Sequence, residues 1–458
     1  MAPKFGTSGL RGLVTDLTPA LVGDYVAAFA VACDTGTGVF LGHDLRKSSP
    51  DIRHMVAKAA QAAGLAVTDC GAVPTPALAL AAMRAGAGAI MITGSHIPAD
   101  RNGLKFYTPQ GEITKIEEKA ILGALGRVPD GPTGPPVARH SDAAEAYVSR
   151  YTKAYGSSLQ GMRIGIFAHS AVGADLLETL LTRLGAKTLI LGRSERFIPV
   201  DTEAVAQQLR DQLRAWAATG DFDGIVSTDA DGDRPLVADE TGAIVPGDVL
   251  GQITAAALGA QVVVTPVSSN TGVDQAGRFG QVIRTAIGSP YVIAAMEGAL
   301  GRVVGYEANG GFLLGFDAAG PSGPIARLLT RDAILPMVAV LAQANGSGLA
   351  QLVAAEPARF TASDRLQDVP TVTSQNLLAR LTADPAARQR FLRALDAKET
   401  ALDLVDGVRV HLDDGRIIHL RPSGNAPELR CYVEAGTPWD AADTLAQGLA
   451  LLRDELTG

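Results

Sequence analysis

Three aspartates alternate along a short polar segment, and their spacing could assemble a metal site. An apolar run at residues 224–227 leads through Thr228 into Asp229, Asp231 and Asp233, and Arg234 comes next. In an extended segment these alternating carboxylates can converge. Two carboxylates about 4 Å apart repel each other by on the order of 4 kcal/mol at an effective permittivity of about 20, so three together favour a bound cation. Because all the ligands are oxygens, the segment predicts a site for one divalent ion, Mg²⁺, Mn²⁺ or Ca²⁺, rather than zinc.

Three other interpretations of this segment stay open. Glu240 is the twelfth residue counted from Asp229, as in an EF-hand calcium loop, but the sixth position requires glycine and holds Arg234. An aspartyl phosphotransferase would use Asp229 as its nucleophile, although Asp233 occupies a position that usually carries threonine or valine in such loops. The third interpretation is a solvated acidic turn. A calcium-binding module would be stabilised strongly by calcium and would show no turnover with magnesium.

A serine that could act as a nucleophile stands in another polar loop. An apolar run at residues 87–92 has the character of a buried strand, and Ser95 follows it after a short turn. Gly94 lets the backbone fold tightly beside Ser95. His96 is adjacent, and Lys105 follows on the next stretch of chain. The pattern therefore predicts a serine held at a strand end near a base and a cation, with an ordinary loop serine as the alternative.

A third polar loop could hold an anion. Arg421, Ser423, Asn425 and the backbone of Gly424 lie between two strand-like runs, and Arg430 follows on the second run. The guanidinium fork of arginine matches phosphate, and the loop adds N–H groups and a hydroxyl. A polar hairpin loop without a ligand is the alternative. The pattern predicts a phosphate cradle.

A carboxylate and an amide, Glu307 and Asn309, stand in a glycine-rich loop and could hydrogen-bond neighbouring sugar hydroxyls. Glycine-rich loops are common, so this pattern is weak when it is taken alone. A nucleophilic serine, a divalent-ion site, a polyol-binding carboxylate and a phosphate cradle together fit phosphoryl transfer on a sugar phosphate.

The elements that position these loops repeat along the chain. Apolar runs at residues 39–41, 164–167 and 262–264 each enter a polar loop, a helix and a second strand, and a third strand then delivers a candidate loop. In the first repeat, Ser49 is predicted to cap its helix, with Pro50 in the first turn. This order implies right-handed crossovers and parallel sheets, with ligands at the carboxyl ends of the strands.

The predicted fold is therefore α/β, with three similar mixed or parallel-sheet domains and a smaller C-terminal α+β domain around a central cleft. The four predicted domains share out the candidate loops. They are residues 1–140 with the serine loop, 141–246 with the metal loop, 247–362 with the sugar loop and 363–458 with the phosphate loop.

Composition bounds the class of protein. The chain has 458 residues, enough for about three or four domains. A net charge of −8 without a basic run argues against nucleic acid, and no apolar run reaches membrane-spanning length. Cys33, Cys70 and Cys431 lack metal-ligand spacing, and the functional-looking residues 5–12 leave no room for a signal peptide. We expect a cytoplasmic enzyme, a monomer or weak homodimer, with a small-molecule partner.

Four motifs resemble those of the α-D-phosphohexomutase family, which includes phosphomannomutases, phosphoglucomutases and phosphoglucosamine mutases. The resemblance covers nearly the whole chain, with the motifs in the expected order. The motifs are Thr-Gly-Ser-His-Ile-Pro at 93–98 for the phosphoserine loop, Asp-Ala-Asp-Gly-Asp-Arg at 229–234 for the metal loop, Glu-Ala-Asn at 307–309 for the sugar loop and Arg-Pro-Ser-Gly-Asn at 421–425 for the phosphate loop.

The resemblance implies an isomerase that works through a phosphoserine. Ser95 would give its phosphoryl group to a hexose monophosphate, and the hexose 1,6-bisphosphate, also an activator, would return its other phosphate. The implied residue roles form a larger set. Mg²⁺ would bind Ser95, Asp229, Asp231 and Asp233; Arg234 would stabilise transition-state charge; Lys105 would be the general acid/base, with His96 and Arg11 around the phosphate; Glu307 and Asn309 would bind sugar; and Arg421, Ser423, Gly424, Asn425 and Arg430 would bind the distal phosphate.

The chain also departs from the family pattern. Gly94 stands where alanine is usual, and Asn309 and Gly311 replace the serine and histidine of a common Glu-x-Ser-Gly-His sugar loop. A histidine acid/base from that loop is therefore missing. The phosphate loop carries Asn425-Ala426 where Thr-Glu is usual. These departures predict a divergent branch.

The sugar-loop wording at residues 307–311 is most similar to the phosphomannomutases of bacteria, so mannose 1- and 6-phosphates are the expected substrates. Phosphoglucomutase and phosphoglucosamine mutase activities are the alternatives within the family. A non-catalytic phosphosugar-binding protein is the alternative from another class.

Overall fold

The structure is a computed structural model that describes residues 3–6, 9–127, 132–423 and 427–457. It divides into two compact units. The first contains Met1–Val264 and Gly288–Ala355, and the second contains Thr265–Ile287 and Glu356–Gly458. The division into four domains stays a prediction. Within the described ranges, no helix combines the length and the apolar character needed to cross a membrane.

The first sheet of the first unit carries the predicted serine loop. Its elements are β1 (Lys4–Phe5), β2 (Leu10–Leu13), α1 (Pro19–Ala32), β3 (Val39–His43), α2 (Ser49–Ala62), β4 (Val67–Ala72), α3 (Thr75–Arg84), β5 (Gly88–Ile92), β6 (Arg101–Thr108), β7 (Gly111–Glu112), α4 (Lys115–Ala124) and β8 (Ala138–Arg139). The strand order is β1-β2-β6-β5-β3-β4-β8, with β7 paired to β6. The central strand β3 runs parallel to β4 and β5, as its continuous apolar run predicts. Because β6 is antiparallel to β5 and β2, Lys105 lies opposite Met91 and Arg11 lies opposite Gly103.

Local sequence explains most of these boundaries. Helix α1 begins at Pro19 because Thr18 caps it, its hydroxyl accepting from the backbone N–H of Leu21 at 3.3 Å. The prediction that Ser49 caps α2 is wrong. Helix α2 begins at Ser49 itself, and the serine hydroxyl donates to Asp44 Oδ1 at 2.6 Å.

The second sheet of this unit carries the aspartates. Its elements are α5 (Ala143–Tyr155), β9 (Arg163–Phe167), α6 (Ala174–Arg183), β10 (Lys187–Leu191), α7 (Gln207–Gly220), β11 (Gly224–Thr228), β12 (Pro235–Ala238) and β13 (Ile244–Val245). The strand order is β10-β9-β11-β12-β13. Strand β11 is parallel to β9 and antiparallel to β12. The aspartate segment is therefore the tight connection between β11 and β12.

The third group of elements carries the predicted sugar loop. It comprises α8 (Gly247–Ala257), β14 (Val262–Pro266), α9 (Gly272–Gln275), β15 (Gln281–Thr285), α10 (Ser289–Gly298), β16 (Val303–Tyr306), β17 (Phe312–Leu314), β18 (Ala318–Ala319), β19 (Pro324–Ile325), β20 (Leu328–Asp332), α11 (Ile334–Ala344) and α12 (Leu349–Ala354). Helix α9 and β15 belong to the second unit. In the first unit, β14 pairs with β16 in parallel, and β17 joins β16 to β20 by antiparallel pairing. The sugar loop connects β16 and β17.

The rest of the second unit is the smaller α+β assembly. It contains β21 (Phe360–Leu366), α13 (Thr371–Ala383), α14 (Pro385–Arg393), β22 (Glu399–Asp403), β23 (Val408–Leu412), β24 (Ile417–Pro422), β25 (Leu429–Ala435) and α15 (Pro438–Thr457). The sheet is antiparallel, in the order β21-β25-β24-β23-β22. Its core packs residues such as Leu378, Phe391 and Leu449 against the sheet. The predicted fold class, three α/β sheets followed by an α+β sheet, is confirmed.

Candidate functional site

Ser95 lies just after β5, and its side chain is fully buried. Its φ of 52° is left-handed, a conformation uncommon for a residue other than glycine, so neighbouring contacts must hold it. The backbone N–H of Ser95 donates to Thr93 Oγ1 at 2.8 Å. The hydroxyl donates to Asp229 Oδ2 at 2.5 Å and lies 3.4 Å from His96 Nδ1. The predicted nucleophile and the first predicted metal ligand are thus in direct contact.

Arg46 holds the loop that contains Ser95. Its side chain is 1 % exposed, and its guanidinium lies 4.0 Å from the ring centre of Phe197. Four backbone carbonyls accept hydrogen bonds from its Nη atoms. They belong to Ser95 at 2.8 Å, Ile97 at 2.6 Å, Pro98 at 2.7 Å and Arg101 at 3.0 Å. A Cβ atom on Gly94 would lie 2.6 Å from Arg46 Cζ, so a side chain at position 94 would collide with this arginine as it is placed.

The three aspartates fit a divalent ion. Asp229, Asp231 and Asp233 are fully buried, and one ligand oxygen from each lies within 4.8 Å of the others. Among the described residues, Oδ1 of Asp231 and Oδ1 of Asp233 have no hydrogen-bond partner. Buried carboxylate oxygens without donors are costly, and a hard cation is the ligand that would satisfy them. The structure therefore contains an acidic triad that could hold a metal ion.

Lys105 provides positive charge beside the triad. Its Nζ lies 2.6 Å from Asp231 Oδ2 and 2.5 Å from Asp233 Oδ2, so it uses only the Oδ2 atoms. Burial, together with the charges of Asp231 and Asp233, raises the pKa of Asp229 well above its usual value. Burial also opposes ionisation of Asp231, but the charge of Lys105 and the hydrogen bonds from Lys105 and Thr75 together hold the pKa of that carboxyl below its usual range. A bound divalent ion would add positive charge that favours the ionised form of Asp229.

Three basic residues surround Ser95 and the triad. The Nη1 of Arg234 lies 2.9 Å from His96 Nδ1, and because arginine can only donate, the histidine nitrogen accepts. Burial, reinforced by Arg234 and Arg11, lowers the pKa of His96 to about 2, so the ring is neutral near pH 7. Burial also lowers the pKa of Arg11 to about 10, with Arg234 adding to the effect, and Arg11 remains charged at neutral pH.

The predicted sugar residues lie in the same unit as Ser95. Glu307 is buried, and its Oε2 lies 3.5 Å from Nη1 of Arg331. The side-chain oxygen of Asn309 accepts from the backbone N–H of Gly311 at 3.0 Å, and its backbone oxygen accepts from Thr202 Oγ1 at 2.9 Å. One hydrogen bond within the loop and one from Thr202 therefore hold the loop in place.

The predicted phosphate cradle lies in the second unit. Arg421 and Arg430 occupy paired positions on β24 and β25, and the backbone N–H of Ser423 donates to the carbonyl of Glu428 at 2.8 Å. Asp406 Oδ1 lies 3.3 Å from Nε of Arg421. The other two predicted members, Gly424 and Asn425, lie outside the described residues.

Sequence reasoning assigned no role to several residues that shape the site. Arg46 and Asp44 stand in the polar loop after β3, a position where parallel sheets place ligands, so that signal was available. Thr75 donates to Asp231 Oδ2 at 2.6 Å from the start of α3. Arg331 contacts Asp233 and Glu307 from β20, and no motif marks it.

The chain matches four family models that together span most of its length. Their descriptions are phosphoglucomutase/phosphomannomutase alpha/beta/alpha domain I for residues 2–127, domain II for residues 145–242 and domain III for residues 238–360, and the phosphoglucomutase/phosphomannomutase C-terminal domain for residues 352–452.

Two similar curated relatives are both named phosphomannomutase. The relative from Sinorhizobium fredii is 44% identical over 100% of this chain and 100% of its own length. The relative from Salmonella muenchen is 42% identical over 99% of this chain and 96% of its own length.

Solved structures share the fold. A phosphoglucomutase/phosphomannomutase family protein from Burkholderia thailandensis superimposes with a TM-score of 0.75 at 21% identity, covering 98% of this chain and 97% of that chain. The N-acetylphosphoglucosamine mutase of Aspergillus fumigatus, in complex with GlcNAc-6P and magnesium, gives a TM-score of 0.62 at 15% identity, covering 99% and 96%. At these identities the likeness concerns the fold alone.

Proposed function

The chain belongs to the phosphoglucomutase/phosphomannomutase family, and we propose that it interconverts mannose 1-phosphate and mannose 6-phosphate. As a phosphohexomutase it is an intramolecular phosphotransferase, an isomerase of small phosphosugars. One observation carries the chemical part of the proposal: the Ser95 hydroxyl lies 2.5 Å from a carboxylate of a buried acidic triad. The names of the two full-length relatives support mannose as the sugar.

In the proposed reaction Ser95 carries a phosphoryl group in the resting enzyme. The bond between phosphorus and Ser95 Oγ breaks, and a bond to a hydroxyl of the hexose monophosphate forms. The proton of that hydroxyl passes by way of Lys105 to Ser95 Oγ, and the Nζ of Lys105 lies beside the triad, 2.6 Å from Asp231 Oδ2. The hexose 1,6-bisphosphate then returns its other phosphoryl group. The bond between that phosphorus and the sugar oxygen breaks, a bond to Ser95 Oγ forms, and the serine proton passes to the freed sugar oxygen. The same compound from outside would activate an enzyme that has lost its phosphate.

Charge around the transferred group is managed by buried residues. Asp229, Asp231, Asp233 and a phosphate oxygen on Ser95 would hold the ion, which we propose to be Mg²⁺. When bound, it would neutralise charge that develops on the phosphoryl group. Arg234 would add stabilisation in a water-poor site. The neutral ring of His96 would accept hydrogen bonds without adding charge.

The remaining loops would recognise the rest of the substrate. We propose that each of the four predicted domains contributes one loop that contacts the substrate. Glu307 and Asn309 would bind sugar hydroxyls, with Arg11 near the transferred phosphate, and the distal phosphate would contact Arg421, Ser423, Gly424, Asn425 and Arg430. We further propose a cytoplasmic protein, which its three unpaired cysteines support, acting as a monomer or weak homodimer.

A coupled assay tests the substrate. Mannose, glucose and glucosamine 1-phosphates would each be supplied with Mg²⁺ after priming with a hexose 1,6-bisphosphate. We expect the highest kcat/KM with mannose 1-phosphate. A higher kcat/KM with another sugar 1-phosphate would identify that sugar, not mannose, as the substrate. No turnover with any of the three would favour a non-catalytic phosphosugar-binding protein.

A further inference from the structure

Arg331 lies at the meeting point of three loops of the first unit. Its side chain, on β20, is 2 % exposed and faces one carboxylate from each loop. The guanidinium Nη2 is 3.0 Å from Asp233 Oδ2, Nη1 is 3.5 Å from Glu307 Oε2, and Nε is 3.3 Å from Glu112 Oε1. The buried guanidinium of Arg331 thus contacts the metal loop, the sugar loop and strand β7, which contains Glu112.

Glu112 fixes one side of this arrangement. Its Oε1 accepts from the backbone N–H of Arg331 at 3.0 Å and from Thr330 Oγ1 at 3.1 Å. Its Oε2 accepts from Ser289 Oγ at 2.8 Å. The three donors stand on β20 and at the start of α10, and all three groups are buried, so two elements hold the carboxylate that contacts the guanidinium. Because the arginine fork is planar, anchoring Nε also sets the directions of both Nη atoms.

Gly311 provides the space for this side chain. A Cβ atom built on Gly311 would lie 3.0 Å from Arg331 Cδ and 3.1 Å from Cγ, closer than ordinary van der Waals contact. The aliphatic stem of Arg331 therefore lies against the sugar loop where any side chain at position 311 would begin. A residue with a side chain at position 311 and the arginine at position 331 would therefore occupy the same space.

We propose that Arg331 is a positioning residue that fixes the carboxylate of Glu307 relative to the metal loop, in space left by Gly311. It touches no substrate and acts through Glu307. A fixed Glu307 offers its oxygens to sugar hydroxyls without a reorganisation cost at binding. The inference rests on the proposed function because the sugar-binding role of Glu307 belongs to that proposal.

Steady-state kinetics test the positioning role. Arg331→Met keeps most of the stem and removes the charge, Arg331→Lys restores a charge without the fork, and Arg327→Met is a control for an exposed arginine near the same strand. We expect Arg331→Met to raise KM for the hexose phosphate about 10-fold or more, with a smaller change in kcat, as for lost ground-state binding. Arg331→Lys should recover part of the loss, and Arg327→Met should match wild type. An unchanged KM in folded Arg331→Met, or a fall in kcat alone, would overturn the inference.

Gly311→Ala serves if Arg331→Met does not fold. It keeps the arginine but crowds its stem, so KM should rise in the same direction by a smaller factor. Melting temperatures of wild type, Gly311→Ala, Arg331→Ala and the double variant form a cycle that needs folded protein but no activity, so it serves where the wild type shows no turnover. We expect Gly311→Ala to lower the melting temperature less when Arg331 is alanine. Additive shifts in melting temperature would overturn the inference. A wild type without mutase activity would overturn the proposed function, and the cycle would still test the contact between Gly311 and Arg331.

Discussion

Lys105 should contribute more to the stability of the fold than a surface lysine would. It is the cation that both Asp231 and Asp233 contact in a site from which solvent is excluded. A buried carboxylate that loses a counter-charge is strongly destabilising, whereas exposed ion pairs contribute little. The same residue is the proposed proton carrier, so its loss should affect stability and turnover separately.

We predict that Lys105→Met lowers the free energy of unfolding by about 3–5 kcal/mol when divalent ions are chelated. Added Mg²⁺ should then raise the melting temperature more than in wild type, because the ion supplies positive charge that the variant lacks. Thermal unfolding with chelator and with Mg²⁺ measures both effects. Lys115→Met, which breaks the half-exposed pair with Glu118, is the control and should change little. Equal Mg²⁺ shifts in wild type and Lys105→Met would contradict an ion at the triad.

At the scale of elements, the loop after β5 depends on the loop after β3. The carbonyls of residues 95, 97, 98 and 101 converge on one guanidinium, that of Arg46. A lysine offers one nitrogen in place of this fork and cannot reach all four carbonyls in the same geometry. Ser95, in its left-handed conformation, would then lose part of the frame that holds it.

Arg46→Lys should therefore reduce kcat by about 100-fold, as expected when a reacting group moves by about 1 Å. The change in KM should be smaller, because the sugar loop is untouched. Arg84→Lys, at an exposed position on α3, is the matched control. Wild-type kcat in Arg46→Lys would show that the four hydrogen bonds do not position Ser95.

Sequence patterns predicted the strand–loop junctions but not the residues that connect them. Ser95 and the aspartates stand directly after apolar runs, and local composition reveals such junctions. The contacts of Arg46 join residues 49 to 55 positions apart, and Arg331 lies 219 positions from Glu112. No local pattern encodes such pairings. The error at Ser49 has a different origin, because Asp44, five positions earlier in the chain, accepts from the hydroxyl that a helix cap would use.

At the scale of the whole molecule, each unit buries a histidine to which no role in the site is proposed. His169 in the first unit and His419 in the second have their pKa values lowered to about 4 by burial. In the unfolded chain a histidine titrates near 6.5. The native state therefore binds fewer protons between about pH 6.5 and pH 4, and stability falls as the pH falls through this window.

His419→Phe should flatten this pH dependence in the second unit. Phenylalanine can keep the stacking on Tyr432, whose ring centre lies 5.3 Å away, and carries no proton. Each histidine contributes a loss of up to about 3 kcal/mol between pH 7 and pH 4. This loss of stability is measured from denaturant midpoints at pH 7 and pH 4.5. The midpoints are compared for wild type, His419→Phe and a variant at an exposed site, His54→Gln. A drop of equal size in all three proteins would contradict the prediction.

The central claim is that Ser95 carries the transferred phosphoryl group beside the acidic triad. Intact-mass measurement after incubation with a hexose 1,6-bisphosphate and Mg²⁺ tests it most directly. We expect the mass of one added phosphate on wild type, its removal by excess hexose monophosphate, and no added mass on Ser95→Ala. Phosphate that persists on a folded Ser95→Ala protein, or a wild type that never gains it, would contradict the claim.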